Sequence, residues 1–283
     1  MKSHRLYITI FLSLFFQVLA NYANANDKTT FFNQQWLKCV VSIENRVNDK
    51  EIKPIGTGFL VASQNDHMLL VTAKHVISDN NGKIKEGLVY RINLKEEKST
   101  IIDDMGLIKL GGGNWFLSKT SDAAVRFMPH NQKSDILKIP AKFFLKKESV
   151  EPGTPALILG FPMGLRSEEY ATPIVRRAVV ALKEKTYFIV DGFAFPGNSG
   201  GPVLYMPAHQ IGMIKLNNYQ SEQMLLGIIS AYIPYKDTAV SLQTKRPRIT
   251  FEENSELTVV IPSDDILKLM ERNDVKALDT KLK

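Results

Sequence analysis

The run Gly197-Asn198-Ser199-Gly200-Gly201-Pro202 sets a serine between glycines, an arrangement that presents a hydroxyl beside exposed backbone amides. Ser199 is therefore a candidate nucleophile for acyl transfer. Gly197 allows a turn tight enough for its own N–H and that of Ser199 to converge on one oxygen, while Gly200 and Gly201 leave room for a substrate backbone. The run also satisfies G-x-S-x-G, the signature of a strand-to-helix nucleophile elbow. By itself the motif leaves two folds open.

Chain order separates them. The elbow of an α/β-hydrolase needs its acid and histidine after the serine, but the one histidine beyond Ser199 is His209, in a Pro/Ala stretch. The elbow serine also opens a helix, whereas Gly201-Pro202 followed by Val203-Leu204-Tyr205 reads as a strand. Upstream, Val71-Thr72-Ala73-Lys74-His75-Val76 places a histidine at the end of an apolar strand, and Ser121-Asp122-Ala123-Ala124-Val125 places an acid at the start of another. Asp103 and Asp104 also lie between histidine and serine but lack the apolar strand that comes after Asp122. The order His75, Asp122, Ser199 is that of chymotrypsin.

Thr72-Ala73-Lys74-His75, Asp122-Ala123-Ala124-Val125 and the Ser199 segment resemble the three signature segments of trypsin-like, chymotrypsin-fold serine proteases. Asp191-Gly192-Phe193-Ala194-Phe195-Pro196 and Ile261-Pro262-Ser263-Asp264 are similar in wording to the bacterial high-temperature-requirement proteases. The resemblance spans about residues 35 to 270. Those relatives usually carry a PDZ domain after the protease, and the stretch beyond Asp265 is too short for one. An all-β fold of two six-stranded antiparallel barrels with a short C-terminal helix is implied. So is a peptidase in which Ser199 attacks, His75 moves the proton, Asp122 orients the imidazole, and the amides of Gly197 and Ser199 form the oxyanion hole.

The resemblance also places substrate-binding residues. The position six before the serine, Phe193, falls at the base of the primary specificity pocket, and Ser230 and Tyr232 pair with substrate backbone as an added strand. None of the three is acidic, so a small or medium apolar residue is expected before the cut bond. Two positions depart from the family. Lys74 stands where a small residue usually precedes the histidine and is expected to point outward. Asn198 stands where zymogen-activated enzymes carry an aspartate that pairs with a freed N-terminus, so the oxyanion loop is expected to be ordered by other contacts, or only when substrate or a partner binds.

The elements that must hold these residues are short strands. Val40 to Ile43, Thr57 to Ala62 and Met68 to Ala73 read as strands, with Gln64-Asn65-Asp66 a turn that makes the last two a hairpin delivering His75. Pro129 to Pro152 is polar and lysine-rich, which suits a crossing between halves. The expected division is a leader at 1–25, a first barrel at 30–140 with His75 and Asp122, and a second at 141–283 with Ser199. Strands are expected at Pro155 to Leu159, Val175 to Leu182, Tyr187 to Val190, Val203 to Tyr205, Leu225 to Ala231 and Leu257 to Ile261. Ser263 then caps a helix with Asp264 and Asp265 in its first turn.

Composition agrees with a globular chain of one large or two small cores. The 283 residues are 44% hydrophobic and 23% charged, which supports a sizeable core. Lys2 and Arg5, the apolar run Leu6 to Ala20 and Ala23-Asn24-Ala25 read as a secretory leader cleaved after Ala25, with an uncleaved anchor as the alternative. Its loss takes the net charge from +7 to +5. Cys39 is the sole cysteine and reads as a buried strand residue rather than a disulfide partner. A bacterial periplasmic or secreted location is expected.

No cofactor, metal, nucleic acid or membrane partner is expected: the histidines and Cys39 lack ligand spacing, and Gly111-Gly112-Gly113 lacks the lysine and helix of a phosphate loop and reads as a turn. The expected partners are protein or peptide substrates, met by a monomer. Two further readings stay open, a catalytically silent domain that binds extended peptides and an esterase using the same residues.

Overall fold

The computed structural model describes residues 32–282 apart from 97, 130–131, 168 and 208–221. The expected leader at 1–25 and the histidines His130 and His209 lie outside the described residues. The chain divides into two units, Met1–Asn33 and Gln34–Lys283, and the second carries all the elements that position the site.

Most of its regular structure is strand, in two sheets. The first has the order β5-β4-β1-β2-β3-β7-β6, built from β1 (Val40–Asn48), β2 (Glu51–Ala62), β3 (Met68–Thr72), β4 (Leu88–Ile92), β5 (Thr100–Asp103), β6 (Phe116–Leu117) and β7 (Ala124–Phe127). The second is a closed barrel, β10-β13-β12-β11-β8-β9, formed by β8 (Pro155–Gly160), β9 (Ile174–Lys183), β10 (Phe188–Asp191), β11 (Pro202–Tyr205), β12 (Met224–Val240) and β13 (Pro247–Pro262). All ladders within both sheets are antiparallel. The all-β expectation holds, with one difference: the first sheet has seven strands and leaves β5 and β6 as its edges.

The sequence dictates these strands through apolar runs stopped by turns. In β3 all five residues are buried, between the Ser63–His67 turn and Ala73. That turn closes through Ser63 O, which accepts from Asp66 N at 3.2 Å, and Asp66 takes the left-handed conformation (φ 64) that a short polar side chain tolerates. The second barrel closes over a core that includes Ile158, Phe188, Val190, Val203, Leu226, Ile229 and Val260. Cys39 is 5% exposed, and burial pushes its thiol up to about 12.

Among the described residues the α-helices are short: α1 (Lys74–Ile77), α2 (Asp104–Lys109), α3 (Ser263–Met270) and α4 (Asn273–Lys281). Ser263 is not the cap of α3; Pro262 occupies that position without a side-chain bond, because the Ser263 hydroxyl donates instead to the Leu145 carbonyl at 2.8 Å. Asp264 accepts from Lys147 N at 2.9 Å. Both bonds fasten α3 to the crossing segment. Beyond it, α4 is held by Asp279, which accepts from the Ser63 hydroxyl at 2.6 Å and lies 2.8 Å from His67 Nδ1.

Candidate active site

Strand β3 ends at Thr72, and α1 begins two residues later, so His75 stands on the first turn of a helix directly above a buried strand. Lys85 fixes that turn from below, donating to the carbonyls of His75 at 2.9 Å and Val76 at 3.0 Å. Asp122 precedes β7, which pairs with β3 as Thr72↔Ala124. The register of that single ladder brings acid and histidine together. Asp122 Oδ1 accepts from His75 N at 3.0 Å, and Oδ2 lies 2.7 Å from His75 Nδ1. The Lys74 ammonium is engaged elsewhere, at the Ser118 carbonyl 3.3 Å away.

Ser230 adds a contact to this pair: its hydroxyl donates to Asp122 Oδ2 at 2.6 Å. Burial pushes the Asp122 carboxyl up, but the bonds from His75 and Ser230 outweigh it, and the group sits below the usual carboxylate range. With Nδ1 facing Asp122, the other ring nitrogen of His75 is left for the cavity it lines together with Ser199.

The serine loop is shaped by two glycines at positive φ. Gly197 (φ 99) and Gly200 (φ 84) each occupy ground where a Cβ would collide, with the Phe161 carbonyl and with Thr72 Oγ1 respectively. Only glycine fits either position without rebuilding the loop. The direction of two peptide planes is given by their carbonyls. Pro196 O accepts from Met163 N at 2.6 Å, and Asn198 O from Gly201 N at 2.9 Å. In a trans peptide the N–H points opposite to the carbonyl, so the amides of Gly197 and Ser199 both turn away from these partners. Neither donates to an acceptor among the described residues.

Three long-range contacts hold that conformation. Thr57 on β2 donates its hydroxyl to Gly197 O at 2.6 Å and its N–H to Ser199 O at 2.9 Å. Gly200 N donates to Ile229 O at 2.7 Å, and Ile229 N returns to Gly201 O at 2.9 Å. The third contact is the Met163 amide already named. Met163 has φ 54, a costly conformation for a residue with a side chain, and the loop that carries it is pinned to the first sheet. Arg166 reaches buried Glu44 at 3.3 Å, which also receives two bonds from Arg91 at 2.8 and 2.9 Å. Asn93 exchanges two bonds with Ala171, at 2.7 and 3.5 Å.

Beside Ser199 lies a cavity of about 350 Å³ whose walls include His75, Phe195, Pro196, Ser230, Ala231 and Tyr232. Phe193 is not among its lining residues. Phe193 stacks on Phe195 with ring centroids 5.8 Å apart and planes 1° off parallel, under the Arg176 guanidinium. Asp103 and Asp104 stand away from the site: the first caps α2 by accepting from Gly106 N at 2.6 Å, and the second pairs with buried Arg126.

Residues 56–213 match the family model of the trypsin-like peptidase domain, more than half of the chain. The chain belongs to that family. Solved structures similar to this trypsin-like peptidase include two of the HtrA-type protease AlgW with a tripeptide, at 14% identity in each case. Their TM-scores are 0.48 and 0.49; the alignments cover 84% and 86% of this chain but 60% and 62% of theirs. The peptidase thus spans about three fifths of those proteins' length. No curated protein matches it. The family match begins at Gly56, next to Thr57, and runs through His75, Asp122 and Ser199, so every residue that shapes the serine loop from β2, β3 and β7 lies within it.

Proposed function

We propose that this trypsin-like peptidase is an exported serine endopeptidase that uses His75, Asp122 and Ser199 as its triad. The observation that carries the reading is the serine loop: the amides of Gly197 and Ser199 are both directed away from their neighbours' hydrogen bonds, beside a histidine already oriented by a carboxylate.

In this reading the Ser199 hydroxyl attacks a peptide carbonyl carbon while Nε2 of His75 takes its proton. Asp122 stays ionised, holds the Nδ1–H tautomer and balances the imidazolium. The carbonyl oxygen, now an oxyanion, is received by the two amides. His75 returns the proton to the leaving nitrogen, the C–N bond breaks, and an acyl-enzyme remains. Water then attacks that ester with His75 again taking the proton, which frees the acid product and Ser199. In the resting structure the Ser199 hydroxyl donates weakly to the Ser230 carbonyl at 3.4 Å, and a turn about its Cα–Cβ bond on substrate binding brings it toward Nε2.

Primary specificity is set by the wall of the cavity, where Ile55, Ala194, Phe195 and Ile229 offer apolar surface and no acid. A small or medium apolar residue before the cut bond fits it. Phe195 rather than Phe193 faces that residue, with Ser230 and Tyr232 pairing to its backbone. The leader at 1–25 directs export to the periplasm or medium, and no described helix is long and apolar enough to cross a membrane.

The test is hydrolysis of quenched fluorogenic peptides with valine, alanine, lysine or glutamate before the central bond. The reading expects preference for valine and alanine, and Ser199→Ala to lower kcat by about three orders of magnitude or more. The bond from Ser199 to Ser230 favours one rival, a silent domain that binds peptides. It would show peptide binding with no hydrolysis in the wild type.

A further inference from the structure

β12 and β13 are far longer than the barrel needs. β12 pairs with β11 only as far as Pro202↔Ile228, but its ladder with β13 continues to Val240↔Pro247. Ile229 is still tied to the serine loop through Gly200 and Gly201. From Ser230 to Val240, therefore, β12 has β13 on one side and no strand on the other among the described residues. A long exposed strand edge is a surface that natural proteins usually cover or blunt. Here it begins at the cavity itself, since Ser230, Ala231 and Tyr232 line it, and runs outward for about ten residues, roughly 33 Å.

The two faces of this ribbon differ. Pairs Lys236↔Glu252 and Thr238↔Thr250 share one face and satisfy each other, with a salt bridge at 3.1 Å and a hydroxyl contact at 3.1 Å. Glu252 also accepts from the Tyr232 hydroxyl at 2.9 Å, which fastens that face to the cavity wall. On the other face lie Tyr235, Ala239, Ile249 and Phe251. Three of them are large and more than half exposed, at 58% for Tyr235, 59% for Ile249 and 54% for Phe251. Asp237 and Glu253 stand among them without an ion pair among the described residues.

Resting on the reading of the site as a peptidase, we propose that this ribbon is an extended substrate-binding edge, occupied by the ten or so residues upstream of the cut bond. Substrate that places its residue before the cut at Ser230 and runs back toward its own N-terminus along β12 is antiparallel to that strand, the polarity of every other ladder in the barrel. Its side chains on the Tyr235 face meet apolar surface and two carboxylates free of ion pairs. The preferred occupant is accordingly an extended polypeptide segment with apolar residues at alternate positions and a lysine or arginine opposite Asp237. Such segments are exposed when a protein is unfolded and hidden when it is folded. The ribbon thus selects for unfolded chains through length, independently of the residue at the cut.

The experiment compares fluorogenic peptides that share the same four residues before the cut and differ by upstream extensions of none, three or six residues, apolar apart from one lysine. In the wild type kcat/KM rises by about tenfold or more from shortest to longest. In Tyr235→Ser/Phe251→Ser, and in a variant whose residues 236–252 are replaced by an Asn-Gly turn, the ratio between long and short substrates falls to near one. Asp237→Lys reverses the preference for a lysine in the extension. The same peptides are titrated against Ser199→Ala by fluorescence anisotropy, which reads the ribbon whether or not the wild type cleaves. Equal cleavage of all lengths with equal binding overturns the ribbon and leaves the peptidase reading intact. Length-dependent binding without cleavage by the wild type overturns the peptidase reading and keeps the ribbon. Sedimentation showing a wild-type dimer that Tyr235→Ser/Phe251→Ser dissolves assigns the edge to a second copy and overturns the proposal.

Discussion

Thr57 donates its hydroxyl to the carbonyl of Gly197 at 2.6 Å, and the same oxygen accepts from Phe161 N at 3.1 Å. One buried hydroxyl on the first sheet thereby fixes both the serine loop and the end of β8 in the second barrel. Thr57→Val removes it and leaves a buried carbonyl and amide unpaired. A stability loss of about 1–3 kcal/mol is expected. Because the Gly197 carbonyl then loses its side-chain anchor, kcat should fall by about tenfold or more with KM little changed. Chemical denaturation and steady-state kinetics on one preparation separate the two effects; an unaltered kcat in a destabilised protein would assign Thr57 to folding alone.

Arg166 acts at greater distance. It joins the Met163 loop to Glu44, which keeps Arg91 as a second partner. Arg166→Ala should therefore cost little stability; on the proposed mechanism it lowers kcat severalfold, since Met163 N holds the carbonyl of the peptide whose Gly197 amide is to receive the oxyanion. Glu44→Gln strips the charge that both guanidiniums face and should destabilise by about 3 kcal/mol. Glu44→Gln should thus have the lower melting temperature of the two, while kcat falls in both, because each weakens the link between Arg166 and Glu44.

Ser230→Ala removes a donor from Asp122. A drop of roughly tenfold in kcat/KM is expected, with Ser230→Thr restoring part of it, because the hydroxyl and not the side-chain volume holds the carboxylate.

Acid stability carries a sign. Asp122 and Asp279 both sit below their ordinary carboxylate value of 3.8: burial raises each, and the hydrogen bonds from His75 and Ser230, or from Ser63 and His67, more than reverse it. Their contribution is present above pH 3.8 and is lost as the pH falls through the lowered native values. The fold should therefore resist acid down to the ordinary carboxylate range and unravel below it. Asp279→Asn, which has no ionisable group there, should weaken the hold on α4 across the pH range and flatten its dependence on acid, read by proteolysis of the C-terminus.

Cys39, with its thiol pushed up to about 12 by burial, should be inert to iodoacetamide at about pH 8 in the native state and react stoichiometrically in guanidinium chloride. Alkylation read by intact mass checks this.

How far the sequence reaches is visible in these residues. The meeting of His75 and Asp122 was legible because each lies in a short local motif next to an apolar strand and the ladder between β3 and β7 joins them, while Ser199 was legible as a candidate from its glycine-flanked motif alone. Thr57, Met163, Arg166 and Glu44 were not, since each acts through a contact between segments far apart in the chain, or through backbone atoms that every residue possesses. Ser230 was singled out for substrate pairing, and its bond to Asp122 went unread. Strands β4 and β5 escaped for different reasons: β4 is buried at four of its five positions and shows no alternation, and β5 is only half-buried. The outer halves of β12 and β13 escaped for a related reason: both faces are exposed, so no burial imposes an apolar period, and Pro234 with the charged residues beyond it reads as loop. The same exposure makes the ribbon informative once seen.

The central claim is that Ser199 is an activated nucleophile beside a formed oxyanion hole. It is tested most directly by treating the purified protein with a fluorophosphonate and locating the adduct by mass spectrometry, with Ser199→Ala and His75→Ala alongside. The account predicts one adduct on Ser199 in the wild type, none in Ser199→Ala, and labelling slowed by orders of magnitude in His75→Ala. An unlabelled wild type, or a His75→Ala variant labelled at the wild-type rate, would contradict it.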